Sequence, residues 1–211
     1  MNKMNIIIVG AGGFGKEVAH CLQSLQDFNL IGFADDTIEK GVPVIYDYCI
    51  KYKIDELLNI SNKIGIVLAI SDPNSRKEIH AKIASNGFLS FPNIISKGIN
   101  IDQTVTLGLG NVFMHGHLQT CDINIGNFNF FNGGSGLGHD VTIGDFNTFG
   151  PRSFVAGNVS IGNGNFFALN SSVLAGVTIG NNIRLLVNST LFKNSKDNQS
   201  YYGSPATKVT F

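Results

Sequence analysis

The sequence predicts a mixed fold: an α/β unit on a parallel sheet over residues 1–95, then a three-sided parallel β-helix over residues 96–211. Three observations carry this. Short apolar runs alternate with helix-period segments in the first part, a glycine-rich turn joins the first run to the first helix, and apolar residues recur at every sixth position from Leu107.

The first run, Ile6-Ile7-Ile8-Val9, is apolar throughout, as a strand covered on both faces must be. It leads into Gly10-Ala11-Gly12-Gly13-Phe14-Gly15. Lys16 to Leu25 then has Val18, Cys21, Leu22 and Leu25 on one side of a helix. Leu30 to Phe33 is a second strand, ending at Asp35-Asp36. Tyr48 to Asn59 is expected to be mostly helical, and Ile64 to Ile70 is a third strand. Asp72-Pro73 caps and starts a helix over 74–85, since proline is tolerated in the first helical turn. Strands separated by helices imply a parallel sheet. The length suits one mononucleotide-binding, Rossmann-like unit rather than a two-lobed dinucleotide domain.

From Leu107 to Leu191, fourteen of fifteen sixth positions are apolar, Gln119 being the exception. A period of 18 lies on top. Ile125, Ile143, Ile161 and Ile179 are each followed by glycine, Phe113, Phe131, Phe149 and Phe167 form a second column, and asparagine stands two positions before each Phe. Ser135, Ser153, Ser171 and Ser189 form another. A six-residue period smears around a 3.6-residue helix. It fits coils of three short strands whose sixth residues stack inside a prism, with glycines easing the corners and polar ladders bonding between coils. About five coils span residues 105–192 by this six-residue count.

Composition removes several function classes. Hydrophobic residues are 43% and charged residues 14%, with zero net charge and no Lys/Arg block, so no nucleic-acid footprint is expected. No apolar stretch is long enough for a membrane span, and Met1 to Gly10 does not read as a signal peptide. Cys21, Cys49 and Cys121 lack metal-type spacing and read as reduced thiols of a cytoplasmic protein, with no metal site.

Gly10-x-Gly12-x-x-Gly15 opens a helix whose N-terminus attracts phosphate, and Asp35 stands where a dinucleotide-binding protein holds a ribose hydroxyl. Alone, this suggests NAD and leaves a nicotinamide-dependent oxidoreductase open. In the repeat, Gly138-His139-Asp140 places an imidazole two positions past the inward Leu137, at a coil corner. A neutral imidazole, with an ordinary pKa near 6.5, suits proton removal near neutral pH, and an adjacent carboxylate can fix its tautomer. One coil on lies Gly157, whose N–H can donate to a developing oxyanion. His115 and His117, in an irregular coil, read as structural or surface residues, and Ser71, Asp72 and Arg76 as a helix cap with a solvated arginine.

These halves in this order resemble the bacterial hexapeptide-repeat sugar acetyltransferases of the sialic acid O-acetyltransferase and UDP-amino-sugar N-acetyltransferase type (NeuD/PglD-like). The resemblance rests on Gly10 to Val18, Asp35-Asp36, the repeats, Gly138-His139-Asp140 and Gly203-Ser204-Pro205-Ala206. It implies a left-handed β-helix, a homotrimer, and acetyl-CoA in a groove between prisms. It also implies N-acetylation of a nucleotide-linked amino sugar by direct transfer, with His139 as proton acceptor, Asp140 as its acidic neighbour and the Gly157 amide on the thioester. By the same likeness Gly12, Gly13, Phe14, Asp35 and Asp36 contact the nucleotide sugar, and Thr148 falls near the sugar. Leu169 and Val187 hold acetyl-CoA through backbone groups, and Lys208 in the capping tail meets a CoA phosphate. Phe14 departs from the pattern, since UDP-amino-sugar members carry histidine there, and Asp140 is shorter than the glutamate some relatives have. O-acetylation of a sugar such as sialic acid, and a catalytically silent nucleotide-sugar-binding module, are the alternatives.

Overall fold

The computed structural model describes residues 3–210; Met1 and Asn2, the start of the N-terminal reading above, lie outside them. The chain divides into two compact units, residues 1–97 and 98–211.

In the first unit β1 (Met4–Val9), β2 (Phe28–Ala34), β3 (Pro43–Ile45), β4 (Tyr48–Tyr52), β5 (Ile64–Leu68) and β6 (Leu89–Ser90) form one sheet in the order β3-β4-β2-β1-β5-β6. All pairings are parallel except β3 with β4. Ile6 to Val9 at its centre have no solvent exposure. Helix α1 (Gly13–Leu22) turns Val18, Ala19, Cys21 and Leu22 into the core. Helix α2 (Pro73–Ile83) begins as expected, with the Asp72 carboxylate accepting the Ser75 N–H and Oγ–H at 3.0 Å. Asp72→Ala is expected to lower unfolding stability by about 1 kcal/mol, the ordinary worth of an N-cap, read as a shifted urea midpoint.

Tyr48 to Asn59 is not mostly helical. Tyr48–Tyr52 is a strand, and only Ile54–Asn59 winds, as a 3-10 helix. Tyr46, at φ 52°, makes the tight turn that folds β3 back on β4. Tyr48, Ile50 and Tyr52 alternate as β-branched and aromatic residues do along a pleated strand. Arg76 is also not solvated. It is 1% exposed, Nη1 donates to Ile70 O at 2.6 Å, and burial pulls its pKa down to about 9 against the opposing charge of Asp72.

The second unit is the parallel β-helix. Strands pair at a step of 18 residues on every face: Asn124 with Thr142, Phe130 with Thr148, Gly136 with Phe154. The Phe113, Phe131, Phe149 and Phe167 rings stack at 4.6–4.7 Å and within 7° of parallel, inside the prism. The asparagines beside them form the expected ladder: Asn147 N–H donates to Asn129 Oδ1 at 2.8 Å and its Nδ2 to Gly162 O at 3.0 Å.

Two details differ from expectation. The glycines after the Ile column do not turn the corners, since Gly126, Gly144, Gly162 and Gly180 are not at positive φ. They let coils approach: a Cβ on Gly162 would lie 2.7 Å from Gly180 O. The left-handed corner positions fall elsewhere, at Asp122, Asp140, Asn158 and their equivalents. The serine column works mostly within its own coil, Ser153 Oγ donating to Gly150 O and Ser171 Oγ to Ala168 O, each at 2.8 Å. The hairpin Ser200–Gly203/Ala206–Val209 ends the prism by pairing with Arg184–Leu185.

Candidate active site

The edge after the strand Gly136–Leu137 carries His139 and Asp140. Asp140 adopts φ 56°, a conformation aspartate tolerates better than most residues, and this left-handed step sets its carboxylate beside the preceding ring. His139 Nδ1 and Asp140 Oδ2 are 2.7 Å apart. An ionised carboxylate only accepts, so Nδ1 carries the hydrogen and donates it, leaving the lone pair on Nε2. The pair is open to solvent, with side-chain exposures of 57% and 54%. The ring lies over Gly157: a Cβ built there would meet Nε2 at 2.6 Å and Cε1 at 2.7 Å. Among the described residues the Gly157 N–H has no acceptor, while the neighbouring Asn158 N–H donates to His139 O at 2.9 Å. One basic nitrogen and one available amide thus sit on consecutive coils of one edge.

In the first unit the glycine loop separates two kinds of glycine. Gly10 is at φ 99° with a hypothetical Cβ 2.8 Å from Ala69 O, and a Cβ on Gly15 would strike Gly10 O, so both are required by the fold. Gly12 and Gly13 have neither a positive φ nor an atom within 4 Å of a Cβ. Helix α1 has no side-chain N-cap and no acidic residue in its first turn, whereas α2 is closed by Asp72. The open N-terminus and the bare glycines suit an anionic group.

Asp35 is not left free for a ribose. Its Oδ2 accepts the Ala11 N–H at 2.9 Å, and Oδ1 accepts Thr37 N–H at 2.8 Å and Oγ1–H at 2.6 Å. Burial pushes its pKa up, but the Thr37 and Ala11 hydrogen bonds outweigh this and hold it below the usual carboxylate range. Asp36 Oδ1 accepts the Ile54 N–H at 2.8 Å. Both carboxylates brace the loop and the strand ends around it. Phe14, in the first turn of α1, is half-buried.

The remaining sequence candidates fall apart in space. Leu169 and Val187 are 49% and 41% exposed, one coil apart, on the edge that precedes the face of Gly136 and Phe154. His139 and Gly157 lie on the edge that follows that face, so one chain does not bring the two pairs together. Thr148 does not line an open surface: it is fully buried between Phe130 and Phe166 on its sheet. Lys208 is exposed on the terminal hairpin, opposite Tyr201. His117 is a core residue. It is 3% exposed, its Nδ1 is 2.9 Å from Ser135 Oγ, and burial drives its pKa down to about 4, so it stays neutral. The edge of His139 also continues by the same 18-residue step, back to Cys121 and on to Ala175, positions a search limited to motifs passes over.

Residues 5–83 match the PglD N-terminal domain. That match covers most of the first unit. No curated protein sequence matches the chain. Among solved structures, the chain is similar to PerB from Caulobacter crescentus in complex with CoA and GDP-perosamine, at 25% identity over 98% of this chain and 97% of that one, with a TM-score of 0.88. Variants of that N-acetyltransferase with one histidine replaced by asparagine or by alanine have also been solved with both ligands. The acetyltransferase domain of PglB from Neisseria gonorrhoeae, in complex with acetyl coenzyme A, matches at 21% identity over 99% of this chain and all of that one, with a TM-score of 0.90. WeeI from Acinetobacter baumannii matches at 23% over 98% and 100%, with a TM-score of 0.80. The fold is therefore a PglD N-terminal, Rossmann-like domain followed by a left-handed parallel β-helix. Among the described residues no helix is long and apolar enough to cross a membrane, and no cluster of His, Cys, Asp and Glu suits a metal ion.

Proposed function

We propose that this chain transfers an acetyl group from acetyl-CoA to the amine of a nucleotide-linked amino sugar. The observation that carries the reading is the His139 Nε2 lone pair held over Gly157 by the Asp140 hydrogen bond. The amine attacks the thioester carbonyl carbon as Nε2 takes a proton from its nitrogen. The oxyanion that forms accepts the Gly157 N–H, the carbon–sulfur bond breaks, and the protonated imidazole returns the proton to the departing thiolate. The products are the amide and CoA, with no covalent enzyme intermediate. The PglD N-terminal domain holds the nucleotide, its phosphates on the bare N-terminus of α1 beside Gly12 and Gly13, with Phe14, Asp35 and Asp36 shaping the loop. Engagement of both Asp35 oxygens by Ala11 and Thr37 argues against the nicotinamide reading, which needs that carboxylate for a ribose.

The reading extends to assembly. Leu169 and Val187 stand on a different edge from His139, so a backbone contact from them to the same acetyl-CoA requires a second copy of the chain. Exposed Leu118 and Phe154 on the face between these edges fit a packed homotrimer of cytoplasmic enzyme. Lys208 then lies on the terminal hairpin as a second contact for CoA.

The direct test follows CoA thiol release with UDP-, dTDP- and GDP-linked amino sugars, and with sialic acid for O-transfer. Turnover of at least one amino sugar is expected, and turnover of sialic acid alone would replace this reading with the hydroxyl one. Gly13→Val fills the cradle at the start of α1 and leaves the sequence of the His139–Gly157 edge unchanged. It is expected to raise KM for the nucleotide sugar about tenfold, near 1.4 kcal/mol, and to leave KM for acetyl-CoA unchanged. Equal shifts in both constants would argue against phosphate binding at that helix.

A further inference from the structure

The carboxyl ends of β1 and β5 stand side by side at the centre of the first sheet. There the strand order reverses: the chain leaves β1 for β2 on one flank and later returns as β5 on the other. In open α/β sheets such a reversal leaves a crevice in which ligands bind. One wall of it is the glycine loop with the bare start of α1. The other is the turn Ala69-Ile70-Ser71-Asp72, which belongs to neither β5 nor α2.

The two walls touch at Gly10. The Ala69 N–H donates to Val9 O at 2.9 Å, and a Cβ built on Gly10 would lie 2.8 Å from Ala69 O and 3.0 Å from Ile70 Cγ1. Packing this close has no slack, so the glycine loop sits where the turn lets it sit. Two side chains at the start of α2 hold the turn. The Asp72 carboxylate ties its last residue to Ser75, and Arg76 Nη1 ties its middle by donating to Ile70 O at 2.6 Å.

Arg76 is the largest of the fully buried side chains, at 1% exposure. Packing alone does not call for it, since a buried ionic group can often be replaced by apolar side chains of like volume with no loss of stability. An apolar side chain cannot supply a rigid fork of donors reaching back to a carbonyl outside the strand and helix ladders. Resting on the acetyl-transfer reading, in which this crevice takes the nucleotide of the acceptor, we infer that Arg76 is a positioning residue for that acceptor. It fixes the Ile70 wall, and through Gly10 the glycine loop, in the shape that binds a nucleoside diphosphate. It acts through Ile70 and Gly10 and touches no substrate itself.

The test measures binding of UDP, dTDP and GDP to the full chain by calorimetry, alongside KM for acetyl-CoA and thermal melting. Arg76→Met keeps the volume and removes the donors. It is expected to weaken binding of the nucleoside diphosphate that wild type takes by about tenfold, the scale set by one charged hydrogen bond, and to leave KM for acetyl-CoA unchanged. Arg76→Lys keeps a charged donor without the fork and is expected to recover most of the loss, ending about threefold below wild type. Asn86→Ala is the control for stability. Asn86 Nδ2 donates to Leu57 O and Ile60 O, each at 2.9 Å, at the end of the sheet where β5 begins, away from the crevice. Its loss should lower the melting temperature and leave nucleotide affinity at the wild-type value. The inference falls if Arg76→Met binds within about twofold of wild type, or if Asn86→Ala loses as much affinity at the same fall in melting temperature. Should Arg76→Met not fold, Arg76→Lys decides, and wild-type affinity in it overturns the inference. Failure of the acetyl-transfer reading looks different: wild type then binds a nucleoside diphosphate and releases no CoA thiol, and the Arg76 effect on binding persists. A wild type that binds none of the three removes both the crevice as a nucleotide site and the role of Arg76.

Discussion

His139→Ala is expected to lower kcat/KM for acetyl transfer by roughly 10²–10⁴-fold, the range that a positioned general base supplies. The loss should lie in kcat. The ring is more than half exposed and fills no core space, so its removal leaves no cavity, and the melting temperature should stay near that of wild type. Nδ1 is committed to Asp140, so Nε2 is the atom whose loss matters. CoA release measured by a thiol reagent, under saturating donor and acceptor, is the direct assay. Turnover within tenfold of wild type would remove the imidazole from the chemistry and return His139 to the role of a surface hydrogen-bonding residue.

How far the sequence anticipated this arrangement depends on whether a feature is set by spacing along the chain or by packing across it. The inward columns were legible, because a six-residue period leaves no choice about which side chains stack; the Phe113 to Phe167 ladder follows from counting. The position of His139 at a corner above Gly157 was legible for the same reason. The purpose of the Ile-Gly glycines was not. A glycine that turns the chain and one that lets a neighbouring coil approach are the same letter, and only the short distance from Gly162 to Gly180 O separates them. Arg76 was misread because its burial depends on how α2 layers on the sheet. Thr148 shows the converse: its register beside Phe130 was countable, but its complete enclosure was not. That Leu169 and Val187 stand on another edge from His139 was available by arithmetic, since 30 residues is not a whole number of coils.

Gly157→Ala separates geometry from stability. Gly157 is not in the left-handed region, so its backbone accepts alanine without strain. The added methyl would lie 2.6 Å from His139 Nε2, too close for the ring to remain where it is. An exposed side chain can swing aside at little cost, so the prism should fold normally and unfold at close to the wild-type temperature. The displaced ring would no longer face the edge on which the Gly157 N–H waits, and misplacement of a catalytic group by about 1 Å can cost on the order of 10² in rate. The expected result is therefore a loss of that size in kcat, with the melting curve retained and KM for the nucleotide sugar unchanged. Combining Gly157→Ala with His139→Ala tests the link. If the methyl acts by displacing the imidazole, it should have a much smaller effect once the imidazole is gone, whereas independent contributions would multiply. Full multiplication would mean that the amide and the ring do not work on the same reacting group, and the pairing of Nε2 with Gly157 would have to be abandoned.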